Sequence, residues 1–327
     1  MLDKLQAMIS PDVKAGELMA RHTTFKIGGT AEFFLEAKTA DAVVKAVAAA
    51  KRLGIPFFVF GGGSNMLVSD DGVKGLVIKM ADRGFTVGER GDVIAEAGTP
   101  TGLLSTRVTE AGFTGFEWAI GIPGTVGGAV RGNAGAYGGE TKDALVSVRV
   151  LKDGVEAVLT NAECSFGYRD SVFKHEPSWI VLSAAFAFAR SPDAEAAKAK
   201  LRQNLLDRKQ KQPVEFPTAG CMFMNWTPSS PNDVESLHRS LDLDKDERVP
   251  LTAQGTVPAG WIVDRAQLKG MKVGHVQVSE KHGNFFVSDG KAMADDVVAL
   301  TAALKTKVRN ITNGVVQLRE EVEYVGF

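Results

Sequence analysis

Between Thr39 and Gly54 the valines Val43, Val44 and Val47 fall on one stripe, so the pattern predicts a helix over Ala40–Leu53, capped by Thr39 and ended by Gly54. The apolar run IPFFVF at 55–60 reads as a buried strand that leads directly into GGGSN at 61–65. With LVIKM at 76–80 as a second strand, these segments have the form of a β-α-β unit. From 92 to 189 the pattern is mostly short strands with turns: VIAEAG, then VSVRVLKDGVEAVLT with Asp153 and Gly154 as its hairpin signal, then IVLSAAFAFA. An Ala/Lys/Arg/Gln stretch over 193–211 predicts an exposed helix closing at Pro213, and a domain boundary near 190–215. The polar stretch from Asn225 to Pro258 has little periodicity and is expected as an inserted loop with one helical turn or two. A last helix is expected at about 293–309, with Asp295 and Asp296 in its first turn and Val297, Leu300, Leu304 and Val308 on one face. Asn313 and Gly314 then turn the chain into a final strand, VVQLREEVEYV.

Composition narrows the possibilities. The 327 residues suffice for two domains or one large one. Lys and Arg number 38 against 39 Asp and Glu, a net charge of −1 that gives no footprint for nucleic acid or an anionic membrane. Two cysteines, Cys164 and Cys221, make neither a disulfide framework nor a four-thiolate metal site, and they fit a reducing compartment. No leader pattern opens the chain and no run of about 18 uncharged apolar residues follows, so a soluble cytoplasmic protein is expected.

Glycine is abundant, at 35 residues, and two clusters stand out: GGGSN at 61–65 and GIPGTVGGAVRGNAGAYGGE at 121–140. Closely spaced glycines let backbone N–H groups converge on an anion, for which a pyrophosphate is the natural guest. The alternative is that they serve turns alone. Neither cluster has the G-x-G-x-x-G arrangement after a strand, and G-x-x-x-x-G-K-[ST] does not occur, so a different diphosphate cradle is required.

Six segments occur in a recognisable order: HTTFKIGGTAEFF at 22–34, FGGGSNMLVSDDGVKGLVI at 60–78, the 121–140 cluster, YRDS at 168–171, AGCMFMN at 219–225 and KVGHVQVSEKHGNFFV at 272–287. Together they resemble the bacterial UDP-N-acetylenolpyruvoylglucosamine reductases, in the shorter branch of that family, over roughly residues 18–327. The resemblance implies an α+β, FAD-binding fold of the vanillyl-alcohol-oxidase type with a C-terminal α+β substrate-binding domain. Its expected parts are FAD-binding subdomains over 1–80 and 81–200 and a substrate domain over 201–327. It implies non-covalent FAD, NADPH as reductant and a UDP-sugar substrate; a monomer is expected, and from the charge balance no nucleic-acid or membrane partner. The FAD contacts then fall on Gly61, Gly62, Gly63, Ser64 and Asn65, and on Gly121, Pro123, Gly124, Thr125, Gly127, Gly128, Asn133, Ala134, Gly135, Ala136 and Tyr137.

In that family hydride goes from the flavin to C3 of the enolpyruvyl group, leaving enolate-like charge that must be stabilised while C2 is protonated. The resemblance makes Arg169 the catalytic arginine; a guanidinium stays charged and grips a carboxylate bidentately. Outside its motif it would read as a structural ion pair, for instance with Asp170. Glu321 matches the carboxylate that assists the enolate, although Glu320 and Glu323 beside it leave an exposed acidic strand end as the alternative. Cys221 stands where the family carries a serine or cysteine acid, and a thiol with an ordinary pKa of about 8.5 is protonated at neutral pH. Cys164 lacks such a context and reads as buried and inert. Tyr168 either hydrogen-bonds substrate or packs, while Asn225, Lys211 and Gln212 are candidate substrate contacts, the last two equally readable as a solvated helix end.

The chain also departs from its relatives. Many continue after the acid with Phe-Lys-Asn-Pro, whereas here Met222, Phe223, Met224, Asn225 and Trp226 follow, without the lysine and the proline. Glu323 stands after Val322 where a basic residue is common, which puts a flavin contact there in question. His22, His175, His238, His275 and His282 follow no metal-binding spacing.

Overall fold

The computed structural model describes residues 1–327, which divide into two compact units. The first comprises Met1–Leu18, Thr30–Gly63 and Val73–Gln210; the second comprises Met19–Gly29, Ser64–Gly72 and Lys211–Phe327.

The first unit contains a four-stranded sheet ordered Lys14–Leu18, Thr30–Ala37, Val73–Met80 and Phe57–Phe60. Val73–Met80 runs parallel to both neighbours, so the chain needs a crossover, and the helix Ala40–Leu53 supplies it. Its boundaries are those the stripe predicts. Thr39 Oγ1 accepts the Ala42 N–H at 3.1 Å, a cap worth about 1 kcal/mol, and Gly54 closes the helix in the left-handed region at φ 66°. Val43, Ala46, Val47 and Ala50 share one core with Leu35, Leu76 and Ile78 of the sheet.

A second sheet of this unit has five strands in the order Val155–Thr160, Leu145–Lys152, Ile180–Ala187, Asp92–Glu96 and Phe85–Val87, all antiparallel. The expected hairpin is present. Asp153 and Gly154, at φ 55° and 97°, form its two-residue turn, the left-handed pair that matches the twist of the flanking strands. The strand-and-turn expectation for 92–189 requires correction, because Val126–Arg131, Val172–His175 and, the longest of the three, Thr101–Glu110 are helices. The buried stripe of the longest mixes Leu104 and Val108 with Thr101, Ser105 and Thr109, whose hydroxyls bond carbonyl oxygens, Ser105 Oγ to Phe116 O at 2.7 Å for example. The helix Ala194–Lys211 forms as expected and is mostly exposed, but Ala197, Asn204 and Arg208 are buried on one stripe.

In the second unit the helix Ala294–Ile311 packs Val297, Leu300, Leu304 and Val308 into a core with Val276, Val278 and Phe286 of a three-stranded sheet. Leu67 and Phe25, from the two short early segments, belong to that core. Of the long final strand expected over 315–325, only Glu323–Val325 pairs as a strand, parallel to Met66–Val68. The 226–257 stretch carries more helix than expected: Pro231–Ser240 spans ten residues, opened by a Ser230/Asp233 capping box with Pro231 at its start. No helix is long and apolar enough to cross a membrane.

Candidate active site

In the first unit the strand Phe57–Phe60 delivers Gly61 and Gly62 against the second glycine cluster, with Gly63 following. A Cβ on Gly61 would run into Thr125 Oγ1, and one on Gly62 would stand 2.9 Å from Gly124 Cα. Only glycine permits this approach, and Gly63, Gly121 and Gly124 also take positive φ of 61°, 69° and 126°. Thr125 Oγ1 is buried without a hydrogen-bond partner in the protein, a condition that costs about 1–3 kcal/mol unless a ligand group meets the hydroxyl. Not every glycine serves a cradle. Gly127 lets its helix approach Ala97, where a Cβ would stand 2.9 Å from the alanine methyl, and Gly135 makes room for Gly139 O at 2.7 Å. Gly128 has nothing nearer than 3.9 Å, and Pro123 is exposed.

The rest of this cluster is tied down by side chains. Asn133 is fully buried: Nδ2 donates to Gly167 O at 2.9 Å and Glu140 Oε2 at 3.1 Å, while Oδ1 accepts the Lys142 N–H at 3.1 Å. Its amide therefore holds the protein's own loop. Ala134 and Ala136 are half-buried and pack against the core of this unit. Tyr137 donates from its hydroxyl to Asn204 O at 3.2 Å, with the Arg208 guanidinium 5.4 Å from its ring centre. Asn204 and Arg208 lie outside every motif of the sequence; their spacing with Ala197 along one helix stripe is the signal that marks them.

Arg169 is half-buried at φ 54°, in a turn closed between Gly167 and Asp170. Its Nη2 donates to Gly135 O at 2.8 Å and its Nη1 to Asn133 O at 3.5 Å, and its guanidinium lies 5.3 Å from the Tyr168 ring centre. The Asp170 carboxylate is engaged by His175 Nε2 at 2.9 Å and the Ser171 N–H. Arg169 thus steadies the second glycine cluster.

The second unit holds Cys221, Glu321, Asn65 and Ser64. Cys221 is half-buried and follows Gly220, which sits at φ 80°; the backbone at Cys221 pairs with Phe285. One residue on, the Met222 N–H donates to Asn284 O and Met222 O accepts the Glu321 N–H, both at 2.8 Å, while Phe223 pairs with Glu320. The segments carrying the thiol and the carboxyl group are therefore in register. Asn65 secures the second of them: its Nδ2 donates to Glu321 O at 3.0 Å, and its backbone oxygen accepts the Glu323 N–H at 3.0 Å. Ser64 beside it is half-buried. Glu320 pairs with Lys305 at 2.7 Å, whereas Glu323 is half-buried at the start of the short final strand.

Asn225 accepts the Ala259 N–H at 3.3 Å, at the start of the helix Ala259–Arg265, and reaches Thr256 Oγ1 at 3.5 Å. Lys211, which opens the long last segment of this unit, is exposed, and Gln212 after it is half-buried. Met224, in the position of the missing lysine, is half-buried and donates its N–H to Arg319 O at 2.9 Å. Burial pushes the Cys164 thiol up to about 11, with Glu163 adding to the shift, so it stays protonated and unreactive at neutral pH. Burial, helped by nearby Lys269, holds His282 below its ordinary value, which agrees with its Nδ1 accepting the Asn284 N–H at 3.2 Å. No group of three or more His, Cys, Asp or Glu side chains is placed to hold a metal ion.

The glycine cradle of the first unit falls within residues 31–159, which match the family model described as an FAD binding domain. The α+β fold is thus that of a flavin-binding protein, as the resemblance implies. Residues 212–325, which hold Cys221, Asn284 and Glu321, match the model described as the UDP-N-acetylenolpyruvoylglucosamine reductase C-terminal domain. The chain is 34% identical to the UDP-N-acetylenolpyruvoylglucosamine reductase of Caldanaerobacter subterraneus, covering 100% of this chain and 98% of that one. It is 35% identical to the reductase of the same name from Bacillus pumilus, covering 96% and 94%. Among solved structures, the UDP-N-acetylenolpyruvylglucosamine reductase of Thermus caldophilus matches with a TM-score of 0.72 at 31% identity, covering 94% of this chain and 97% of that one. The chain belongs to the UDP-N-acetylenolpyruvoylglucosamine reductase family.

Proposed function

We infer that the protein reduces UDP-N-acetylglucosamine enolpyruvate to UDP-N-acetylmuramate, an FAD-dependent, NADPH-driven step of peptidoglycan precursor synthesis. The observation that carries this is similarity along the whole chain to reductases of that name, with both family models matched. The residues present fit the cofactor: the close approach of Gly61 and Gly62 to Gly124 and Thr125 makes a cradle that any Cβ would fill, and the buried Thr125 hydroxyl has a bond to give. Gly61, Gly62, Gly63, Gly121, Gly124, Thr125 and Gly128 are the residues that would hold FAD through backbone N–H groups and that hydroxyl. FAD held there would supply the two-electron chemistry that links NADPH to C3 of the enolpyruvyl group.

The remaining chemistry belongs to side chains. Hydride at C3 leaves an electron pair shared between C2 and the substrate carboxylate, and a proton must then reach C2. Cys221 donates that proton from its thiol. Glu321, its backbone fixed by Met222 and Asn65, assists the enolate, and Arg169 neutralises the charge that develops on the carboxylate. Asn133, Tyr137 and Arg169 also support the glycine cluster, while Asn225 supports the second unit by capping Ala259–Arg265. In this reading 1–80 and 81–200 are the two flavin-binding subdomains and 201–327 the substrate domain of a cytoplasmic monomer.

Stopped-flow spectroscopy on the flavin-loaded enzyme tests these roles. In Cys221→Ala and Glu321→Gln, bleaching by NADPH is expected to keep its rate, while reoxidation by the enolpyruvyl nucleotide slows by about 100- to 10,000-fold, the scale of lost acid catalysis. Reoxidation at the unmodified rate removes that residue from the mechanism. Absence of enolpyruvyl-nucleotide-dependent NADPH oxidation in the unmodified enzyme removes the function itself.

A further inference from the structure

We propose that Asn284 is the positioning residue for Cys221, a buried amide clamp that fixes the peptide carrying the thiol; this rests on the acid role assigned to Cys221 above. Asn284 is 3% exposed and 61 residues away in sequence from the peptide it grips. Its Oδ1 accepts the Phe223 N–H at 2.9 Å and its Nδ2 donates to Phe223 O at 2.7 Å, so one amide satisfies both polar groups of one residue. Its backbone oxygen accepts the Met222 N–H at 2.8 Å, and the next residue, Phe285, pairs with Cys221. Three successive residues beginning at the thiol are therefore held by two successive residues of the other segment.

An amide is required for this. Phe223 offers a donor and an acceptor side by side, and only a group carrying both an oxygen and an N–H or O–H on one carbon answers both. Phe223 itself is fully buried, its ring 6.0 Å from that of Phe286 in an edge-on arrangement, so water does not substitute. On the other side the same short segment meets Glu321 and Arg319 through Met222 O and the Met224 N–H. Asn284 is held in turn, because its own N–H donates to His282 Nδ1. The titratable and charged groups around the clamp are His282 with Lys269 and Asp264 beside it, and Arg319, Glu320 and Glu321 on the opposite segment.

The test compares Asn284→Leu and Asn284→Asp with the unmodified holoenzyme. Leucine removes both bonds. A protonated aspartic acid has the same donor and acceptor pattern as asparagine, whereas an ionised one sets an oxygen against Phe223 O. The first readout is the rate of iodoacetamide alkylation at Cys221, followed by mass spectrometry, which needs no turnover. The second is the pair of flavin half-reactions. Positioning predicts that Asn284→Leu changes the alkylation rate fivefold or more and slows reoxidation by the enolpyruvyl nucleotide at least tenfold, with reduction by NADPH within twofold. It further predicts that Asn284→Asp matches the unmodified enzyme at low pH and departs from it as pH rises, which keeps the test decisive if the leucine variant does not fold. Alkylation unchanged in the aspartate variant across pH, or a loss shared equally by both half-reactions, overturns the proposal. Cys221→Ala run alongside separates the two claims: reoxidation at full rate there refutes the acid role, while the alkylation data still decide whether Asn284 orients the thiol.

Discussion

Replacing Gly61 by alanine sets a methyl group against Thr125 Oγ1, with Thr125 Cβ and Cγ2 only 3.3 and 3.4 Å away. The hydroxyl cannot share that space, so either Thr125 turns or the Gly61 backbone retreats from the second glycine cluster. Forcing a methyl group into a packed site costs about 1–3 kcal/mol. If binding FAD requires the unstrained arrangement, the same energy appears as a loss of affinity of about 5- to 150-fold, since about 1.4 kcal/mol is a factor of ten. The second substitution, Thr125→Ala, removes Oγ1 and Cγ2 but leaves Cβ at its tight 3.3 Å. The double variant should therefore regain most of the stability and less of the affinity, because the hydroxyl is gone. Fluorimetric titration of the flavin-free protein with FAD, together with thermal melts of all four proteins, measures both. Wild-type affinity in Gly61→Ala, or a penalty that Thr125→Ala does not relieve, would refute the reasoning that these two segments form the cradle by direct approach.

In the native protein a thiol reagent at pH 8 should label Cys221 and leave Cys164 untouched, because Cys164 is buried and its thiol is pushed up to about 11; peptide mapping that finds Cys164 labelled first would contradict this. Glu96 is held above its ordinary value of 4.5 by burial and by Asp82, against the pull of Arg149. The folded state keeps that proton longer than the unfolded chain does, so its contribution to stability is present below the ordinary carboxylate range and is lost as pH rises through the elevated folded value. Glu96→Gln should accordingly gain melting temperature relative to the unmodified protein as pH is raised from acid to neutral, and a difference that stays flat with pH refutes the assignment. Leu104→Ala, a fully buried deletion in the helix missed from sequence, should cost about 2–5 kcal/mol in denaturant unfolding; a cost near zero would mean that this helix is not packed as described.

Much of this architecture is written locally. The helix Ala40–Leu53 is flanked by a capping threonine and a terminating glycine, and the Asp153 and Gly154 hairpin by its own left-handed turn, so both could be read off the chain. Thr101–Glu110 shows no apolar period because three of its five buried residues carry hydroxyls; those of Thr101 and Ser105 bond carbonyl oxygens brought up by the fold, and that of Thr109 bonds Ser105 O within the helix. The Pro231–Ser240 helix had a legible start at Ser230, Pro231 and Asp233, and was hidden only by its polar faces. At the site, Cys221 and Glu321 are legible through family motifs, although the chain departs from the usual pattern at Met224, Trp226 and Glu323. Asn284 lies inside the 272–287 motif, but nothing in that motif tells which peptide its amide grips, 61 positions away. Asn133 and Tyr137 sit in the right motif, yet their side chains turn out to bond the protein itself, which spacing alone does not disclose.

The second unit gathers Met19–Gly29 and Ser64–Gly72 with the last 117 residues, Lys211–Phe327, so its final strand finds its partner in Met66–Val68, more than two hundred positions earlier. During synthesis Phe25, Ile27 and Leu67 emerge long before the polypeptide that will cover them. The residues that cover them in the folded unit lie between Ala219 and Val322. A fragment cut at the boundary near 210 would therefore be missing Phe25, Ile27 and Leu67 from its own interior.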